Sequence, residues 1–189
     1  SWGSLGATAD AQRMTRSLGG LLFGGDTPVG QNGYAGLSMG LTTSSYNAAG
    51  NSTADTDGYH LMSYLGWAAN RFSVRGGIGQ SWYRIDTKRN IAYNGLGQAQ
   101  SKANATSTQL FAELAYALSQ GNVVVEPYWG VQRVWLSRDA FDESGSAVAL
   151  SGDQSRQAVT FSHLGLRARM ALSDDAASST QLTANIGWR

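Results

Sequence analysis

The 189-residue sequence contains no cysteine, only two prolines and little charge, and none of its apolar runs is long. Without cysteine, a disulfide scaffold and any thiolate-ligated metal site are excluded, and the composition suits an oxidising cell envelope where stray thiols are a liability. The apolar runs, such as those at 21–23 and 123–125, fall far short of the roughly 18 to 20 residues a helix needs to cross a bilayer. Charged residues make up 14%, and 14 Lys and Arg against 13 Asp and Glu leave a net charge of +1, which gives no electrostatic footprint for nucleic acid. The two histidines, His60 and His163, cannot supply the roughly four ligands of a structural zinc site, so no metal and no cofactor is expected. No basic segment followed by an apolar core opens the chain at Ser1, so an export signal is expected to have been removed or to lie outside this segment.

What remains is a mixture of 24 glycines and 10% aromatics, poor in helix formers and rich in residues of strands and barrel bends. Nine stretches alternate apolar and polar residues with period two. In 162–172, Leu164, Leu166, Ala168, Met170 and Leu172 share one face, while His163, Gly165, Arg167, Arg169 and Ala171 share the other. In 109–118, Leu110, Ala112, Leu114, Tyr116 and Leu118 oppose Gln109, Phe111, Glu113, Ala115 and Ala117. In 123–136, Val125, Pro127, Trp129, Val131 and Trp135 oppose Glu126, Tyr128, Gly130 and Gln132, and Arg133 breaks the apolar run near its end. One face suits lipid and the other suits water.

The pattern predicts strands at 1–8, 14–26, 33–43, 58–69, 71–84, 106–118, 122–136, 157–172 and 178–189, with no interior domain boundary. Their connections alternate in length. Those at 26–32, around Asn70, at 119–122 and at 173–177 are short and carry turn chemistry; those at 44–57, 85–105 and 137–156 are long and polar. A β-sandwich has no reason to alternate its loop lengths from one end to the other, whereas an outer-membrane barrel has short periplasmic turns and longer extracellular loops. The expected fold is therefore an all-β, antiparallel, up-and-down transmembrane β-barrel in the bacterial outer membrane, with lipid as its surroundings. Aromatics agree: Tyr59 and Trp67 bracket one strand and Phe72 and Trp82 the next, and with Trp135 they read as a girdle at the edges of an apolar band about 25 Å tall.

Several runs carry a resemblance. They are Gly19-Gly20-Leu21-Leu22-Phe23-Gly24-Gly25-Asp26, Asp57-Gly58-Tyr59-His60-Leu61, Val74-Arg75-Gly76-Gly77, Phe111-Ala112-Glu113-Leu114-Ala115-Tyr116, Val125-Glu126-Pro127-Tyr128, Thr160-Phe161-Ser162-His163-Leu164-Gly165-Leu166-Arg167 and the closing Ile186-Gly187-Trp188-Arg189. In order and spacing they resemble the translocator domain of autotransporters, the type V secretion proteins, over essentially the whole of 1–189. The resemblance implies a barrel of roughly twelve strands, of which about nine are here, placed in the membrane by the barrel-assembly machinery and devoted to protein transport. It would anchor and export its own N-terminal passenger. The pore-threading helix, the passenger and about three final strands of that family are not found in this sequence, so the domain is expected to be incomplete, with a C-terminal end beyond Arg189.

Three groups of residues invite chemistry. Gly36-Leu37-Ser38-Met39-Gly40 spells the G-x-S-x-G pattern of a hydrolase nucleophile elbow, but that chemistry needs a strand-to-helix turn, and here Ser38 falls inside a strand. No enzyme is expected. Arg75, Glu113, Glu126, Gln132, Arg167 and Arg169 all fall on the inner face and would line the lumen, either pairing to keep the barrel rigid or contacting an extended passenger. The resemblance adds Glu113 or Glu126 as candidates for passenger self-cleavage, although the junction they would cut is not in this sequence. His60 and His163 are expected to face the lumen. The sequons at Asn51 and Asn104 carry little meaning in a bacterial outer-membrane loop. The alternatives are a stand-alone porin-like or adhesin-like barrel working through the loops at 85–105 and 137–156, and an outer-membrane hydrolase.

Overall fold

The computed structural model describes residues 2–5, 14–48, 52–91, 97–175 and 178–188. Its strands are β1 (Trp2–Leu5), β2 (Met14–Val29), β3 (Gly33–Ala48), β4 (Ser52–Ala69), β5 (Phe72–Asn90), β6 (Gln98–Tyr116), β7 (Leu118–Gln120), β8 (Val123–Arg138), β9 (Phe141–Asp142), β10 (Ser151–Gly152), β11 (Ser155–Asp175) and β12 (Ser178–Trp188). One antiparallel sheet runs in the order β1-β2-β3-β4-β5-β6-β8-β11-β12, with β7 on β8, and β9 and β10 form a separate hairpin. Every neighbour in the large sheet is the next long strand in the chain, so the sheet is an up-and-down meander that curls into a half-barrel. Among the described residues no helix is long and apolar enough to cross a membrane.

The alternation read from the sequence fixes the two faces. The register Leu61↔Gln80, Leu65↔Gly76 and Trp67↔Val74 carries the apolar side from β4 to β5. Leu114↔Trp129 carries it from β6 to β8, and Trp129↔Leu164 from β8 to β11. Leu37, Leu65, Leu114, Trp129 and Leu164 stand exposed on that outer face. Exposure of this kind is stable only against hydrocarbon, because a water-soluble monomer rarely presents a continuous apolar surface of this size.

The inner face is packed differently. Ring side chains lie across glycines of neighbouring strands: a Cβ at Gly36 would sit 2.3 Å from the Tyr64 ring, at Gly66 2.4 Å from Tyr34, and at Gly165 2.3 Å from Tyr128. Each ring occupies space a side chain would take, which lets large residues lie flat along a curved wall. Tyr34 and Tyr64 also meet edge to face at 6.3 Å between centroids.

Tight turns close one end of the sheet. Asn70 takes a left-handed φ of 54° between β4 and β5, and Gly121 a φ of 59° between β7 and β8. These are conformations that glycine and asparagine adopt at low cost. At the opposite end the structure corrects the expected loops. Much of 44–57 and 85–105 is strand, since β3 reaches Ala48, β4 starts at Ser52, β5 reaches Asn90 and β6 starts at Gln98. At about 3.3 Å of rise per residue, strands of 16 to 21 residues exceed the roughly 9 to 11 that span the apolar band, so their ends project beyond it. There both faces meet water. Polarity therefore stops alternating while the hydrogen-bonded ladder continues, which is why the sequence pattern ended too early.

The loop at 137–156 carries the β9–β10 hairpin, which folds back over the sheet. Gln100 and Ser144 exchange two backbone hydrogen bonds of 2.9 Å. Arg89 grips Glu143 through Nε at 3.1 Å and Nη2 at 2.5 Å, and also donates to the Val148 carbonyl at 3.1 Å. Ala99 and Ser101 are buried in this region. The Leu150 amide donates to Glu143 Oε2, and these bonds, that of Arg89 first, hold the Glu143 carboxyl below its ordinary value of 4.5.

Candidate functional site

The inner wall of β5, β6, β8 and β11 gathers charges that the sequence spreads from Arg75 to Arg169. Cross-strand pairing does this directly: Arg75 lies opposite Glu113, and Glu126 opposite Arg167. Gly130, between Glu113 and His163 in the register, removes a side chain from the centre of the group. The two carboxylates on β6 and β8 thus meet arginines from β5 and β11, and the His163 imidazole lies over the space that Gly130 leaves open.

Arg167 is the bridge. Its Nη2 donates to Glu113 Oε2 at 2.5 Å and its Nη1 to Glu126 Oε1 at 2.9 Å. Glu126 also accepts from Arg75 Nη2 at 3.2 Å and from Arg169 Nη2 at 3.3 Å. Glu113 Oε1 accepts no hydrogen bond among the described residues and has Arg75 Nη1 at 3.6 Å. His163 Nε2 stands 3.8 Å from Glu113 Oε2. Beneath the bridge the Arg167 guanidinium lies 4.0 Å from the centroid of Tyr128, and the Tyr128 hydroxyl donates to Asn185 Oδ1 at 3.0 Å. The ring holds the guanidinium flat and its hydroxyl ties β8 to β12. Three arginines against two carboxylates leave the wall close to neutral and slightly basic, with Glu126 buried and Arg169 reaching furthest into the open interior, its side chain 43% exposed.

Five of the six inner-face residues expected from the sequence therefore meet in one network. Gln132 shares the face, paired with Phe111 and Phe161, and stands outside the network. His163 joins it. His60 faces the same interior on β4, between Thr42 Oγ1 at 2.9 Å and Ser81 Oγ at 2.9 Å. Tyr128, read onto the inner face, and Asn185 were not among the expected site residues, because only the cross-strand register brings them to Arg167. Ser38 lies in mid-strand, opposite Gly24 and Met62, with no turn and no helix near it. Of the sequons, Asn104 sits on β6 and Asn51 lies outside the described residues.

The five aromatics expected to form a girdle are all on the outer face. Tyr59 and Trp82 are direct cross-strand partners, as are Phe72 and Tyr116, whose rings meet at 4.8 Å between centroids. Trp67 and Trp135 are exposed on the same face, and Trp129, absent from the expected girdle, joins them there. Among the described residues no group of His, Asp and Glu could hold a metal ion.

Comparison with known proteins completes the picture. The family model described as "Autotransporter beta-domain" matches residues 1–189. Two proteins of Serratia marcescens, each named "Extracellular serine protease", are 32% and 30% identical over the whole of this chain, which spans 18% of each of them. Among solved structures, the translocator domain of autotransporter NalP from Neisseria meningitidis superposes with a TM-score of 0.81 at 22% identity, covering 98% of this chain and 63% of that one. The β-domain of the Bordetella autotransporter BrkA follows with 0.71 at 20% identity, covering 95% of this chain and 72% of that one.

Proposed function

Because this chain belongs to the autotransporter β-domain family and is an outer-membrane translocator barrel, we propose that the Arg–Glu network on its inner wall is the surface along which its own passenger is exported. The observation that carries the reading is the sharing of two carboxylates among three arginines. An exported polypeptide presents every kind of side chain in turn. An apolar wall would hold its hydrophobic segments, and a wall of one charge sign would hold segments of the opposite sign. Ion pairs that satisfy one another leave a hydrated, nearly neutral surface with little affinity for any passing sequence, on a wall kept rigid by Tyr128 and the ring-over-glycine contacts. The outer face, with Tyr59, Trp67, Phe72, Trp82 and Trp135 as its girdle, would fix the depth of the barrel in the lipid. Insertion through the barrel-assembly machinery goes with the same reading. The activity in the names of the Serratia relatives remains with those proteins, of which this chain spans 18%.

The test is surface display in the full-length protein. Replacing Glu113 and Glu126 together by alanine leaves three unpaired arginines on the wall. Barrel assembly is followed by heat-modifiable gel mobility and passenger display by protease accessibility on whole cells. The expected result is an assembled barrel whose display of acidic passenger segments falls several-fold. Normal display from an assembled barrel would reduce the network to a brace.

A further inference from the structure

The outer face holds one feature that translocation does not use. Arg133 interrupts the apolar run of β8, and its neighbours on that face are Val131 and Trp135. An arginine turned toward lipid costs roughly 2 to 4 kcal/mol at the bilayer midplane and about 0 to 1 near the interface. The structure shows how Arg133 avoids the larger cost: its guanidinium carbon stands 5.1 Å from the centroid of Trp135, so the side chain runs toward the long-loop end of the strand and delivers its charge at girdle height.

A second arginine joins it. The register pairs Trp135 with Thr108 and Ser137 with Thr106 on one side, and Trp135 with Ala158 and Ser137 with Arg156 on the other. These residues enclose a recess of about 260 Å³, lined by Thr106, Thr108, Trp135, Ser137, Arg156 and Ala158. Elsewhere on this rim Lys102 pairs with Asp86 at 3.5 Å, and Arg84 lies opposite Asp57 with its guanidinium over the Tyr59 ring. Arg133 and Arg156 are exposed, and neither makes an ion pair with a carboxylate among the described residues.

We propose that this recess, with Arg156 in its lining and Arg133 over the Trp135 ring that forms part of its wall, binds the phosphorylated headgroup of an outer-leaflet lipid. Two guanidinium groups with no carboxylate partner, at the margin of a low-dielectric phase, select an anion, and their planar donor sets match phosphate oxygens in bidentate fashion. The Thr106 and Ser137 hydroxyls lie where they can add donors. Below the recess the same wall is apolar through Leu110, Trp129 and Leu164, so the occupant must carry its phosphate at girdle height and an acyl chain beneath it. An amphiphile meets both demands, and inorganic phosphate meets one.

The test uses the full-length protein, extracted from its outer membrane in mild detergent and offered diphosphorylated lipid A, the same lipid after enzymatic dephosphorylation, or inorganic phosphate. Native mass spectrometry counts what is retained. Wild type should retain the phosphorylated lipid about tenfold better than the dephosphorylated one. Combined Arg133→Ala and Arg156→Ala should abolish the preference, Arg133→Lys should keep part of it, and Arg71→Ala, in a turn at the other end of the sheet, should leave it unchanged. Heat-modifiable mobility establishes that each variant is folded. If the double variant fails to assemble, Arg156→Gln alone must lower the preference at least threefold. Equal retention of the dephosphorylated lipid, an unchanged preference in folded Arg133 and Arg156 variants, or displacement of the lipid by millimolar inorganic phosphate would each overturn the proposal.

Discussion

Glu126→Gln removes a charge from the inner wall while keeping the size of the side chain, and its cost can be worked from the contacts. The carboxylate receives Arg75, Arg167 and Arg169 at 3.2, 2.9 and 3.3 Å. The Arg75 and Arg169 side chains remain 32% and 43% exposed, so solvent screening limits each of those pairs to below about 1 kcal/mol. The pair with Arg167 weighs most, since the two side chains are 21% and 6% exposed. Breaking a fully buried pair costs about 3 to 5 kcal/mol, but Arg167 keeps Glu113 as a partner, so the expected loss is about 2 to 3 kcal/mol. With a urea slope of about 1 to 3 kcal/mol per molar, the unfolding midpoint of the barrel in lipid vesicles should fall by about 1 M. A double-mutant cycle with Arg167→Met should return a coupling above about 1 kcal/mol. A midpoint shift under about 0.3 M, or no coupling, would refute the view that this network holds β6, β8 and β11 together.

Three further outcomes follow from other parts of the fold. Gly36→Ala would place a methyl group 2.3 Å from the Tyr64 ring and should lower the unfolding free energy by about 1 to 3 kcal/mol, with Tyr64→Leu restoring part of the loss in the double variant. Asn70→Ala forces a left-handed φ of 54° on alanine and should cost about 1 kcal/mol by urea titration, whereas Asn70→Gly should be close to neutral. The Glu143 carboxyl is held below its ordinary value of 4.5, first by Arg89 and then by the Leu150 amide, so docking of the β9–β10 hairpin is fully favoured above that value and is lost as the pH falls through the depressed one. Amide protection factors at 141–152, which are corrected for the intrinsic pH dependence of exchange, should fall as the pH drops below the ordinary value of 4.5, and in Glu143→Gln they should be low at every pH; high protection in that variant would place the hairpin's hold elsewhere.

The up-and-down sheet and the identity of its two faces were legible in the sequence because lipid on one side and water on the other impose a period of two that no turn or bulge can conceal. Leu164, Leu166 and Met170 against Arg167 and Arg169 state it within one strand, and Asn70 announces its turn through side-chain chemistry alone. Strand ends were illegible where that contrast disappears: Tyr46 to Ala48 and Ile85 to Asn90 continue the ladder with water on both faces, held by backbone hydrogen bonds to which polarity is blind. The sequence likewise placed Arg75, Glu113, Glu126, Arg167 and Arg169 on one face but carried no information about which would touch. Register decided that, setting Glu113 and Glu126 on neighbouring strands within reach of one guanidinium and sliding Tyr128 beneath it. Alternation is a local property, written residue by residue along each strand. Contacts between residues fifty apart depend on how strands slide against one another, and only the hydrogen-bonded ladder of the tertiary structure fixes that offset.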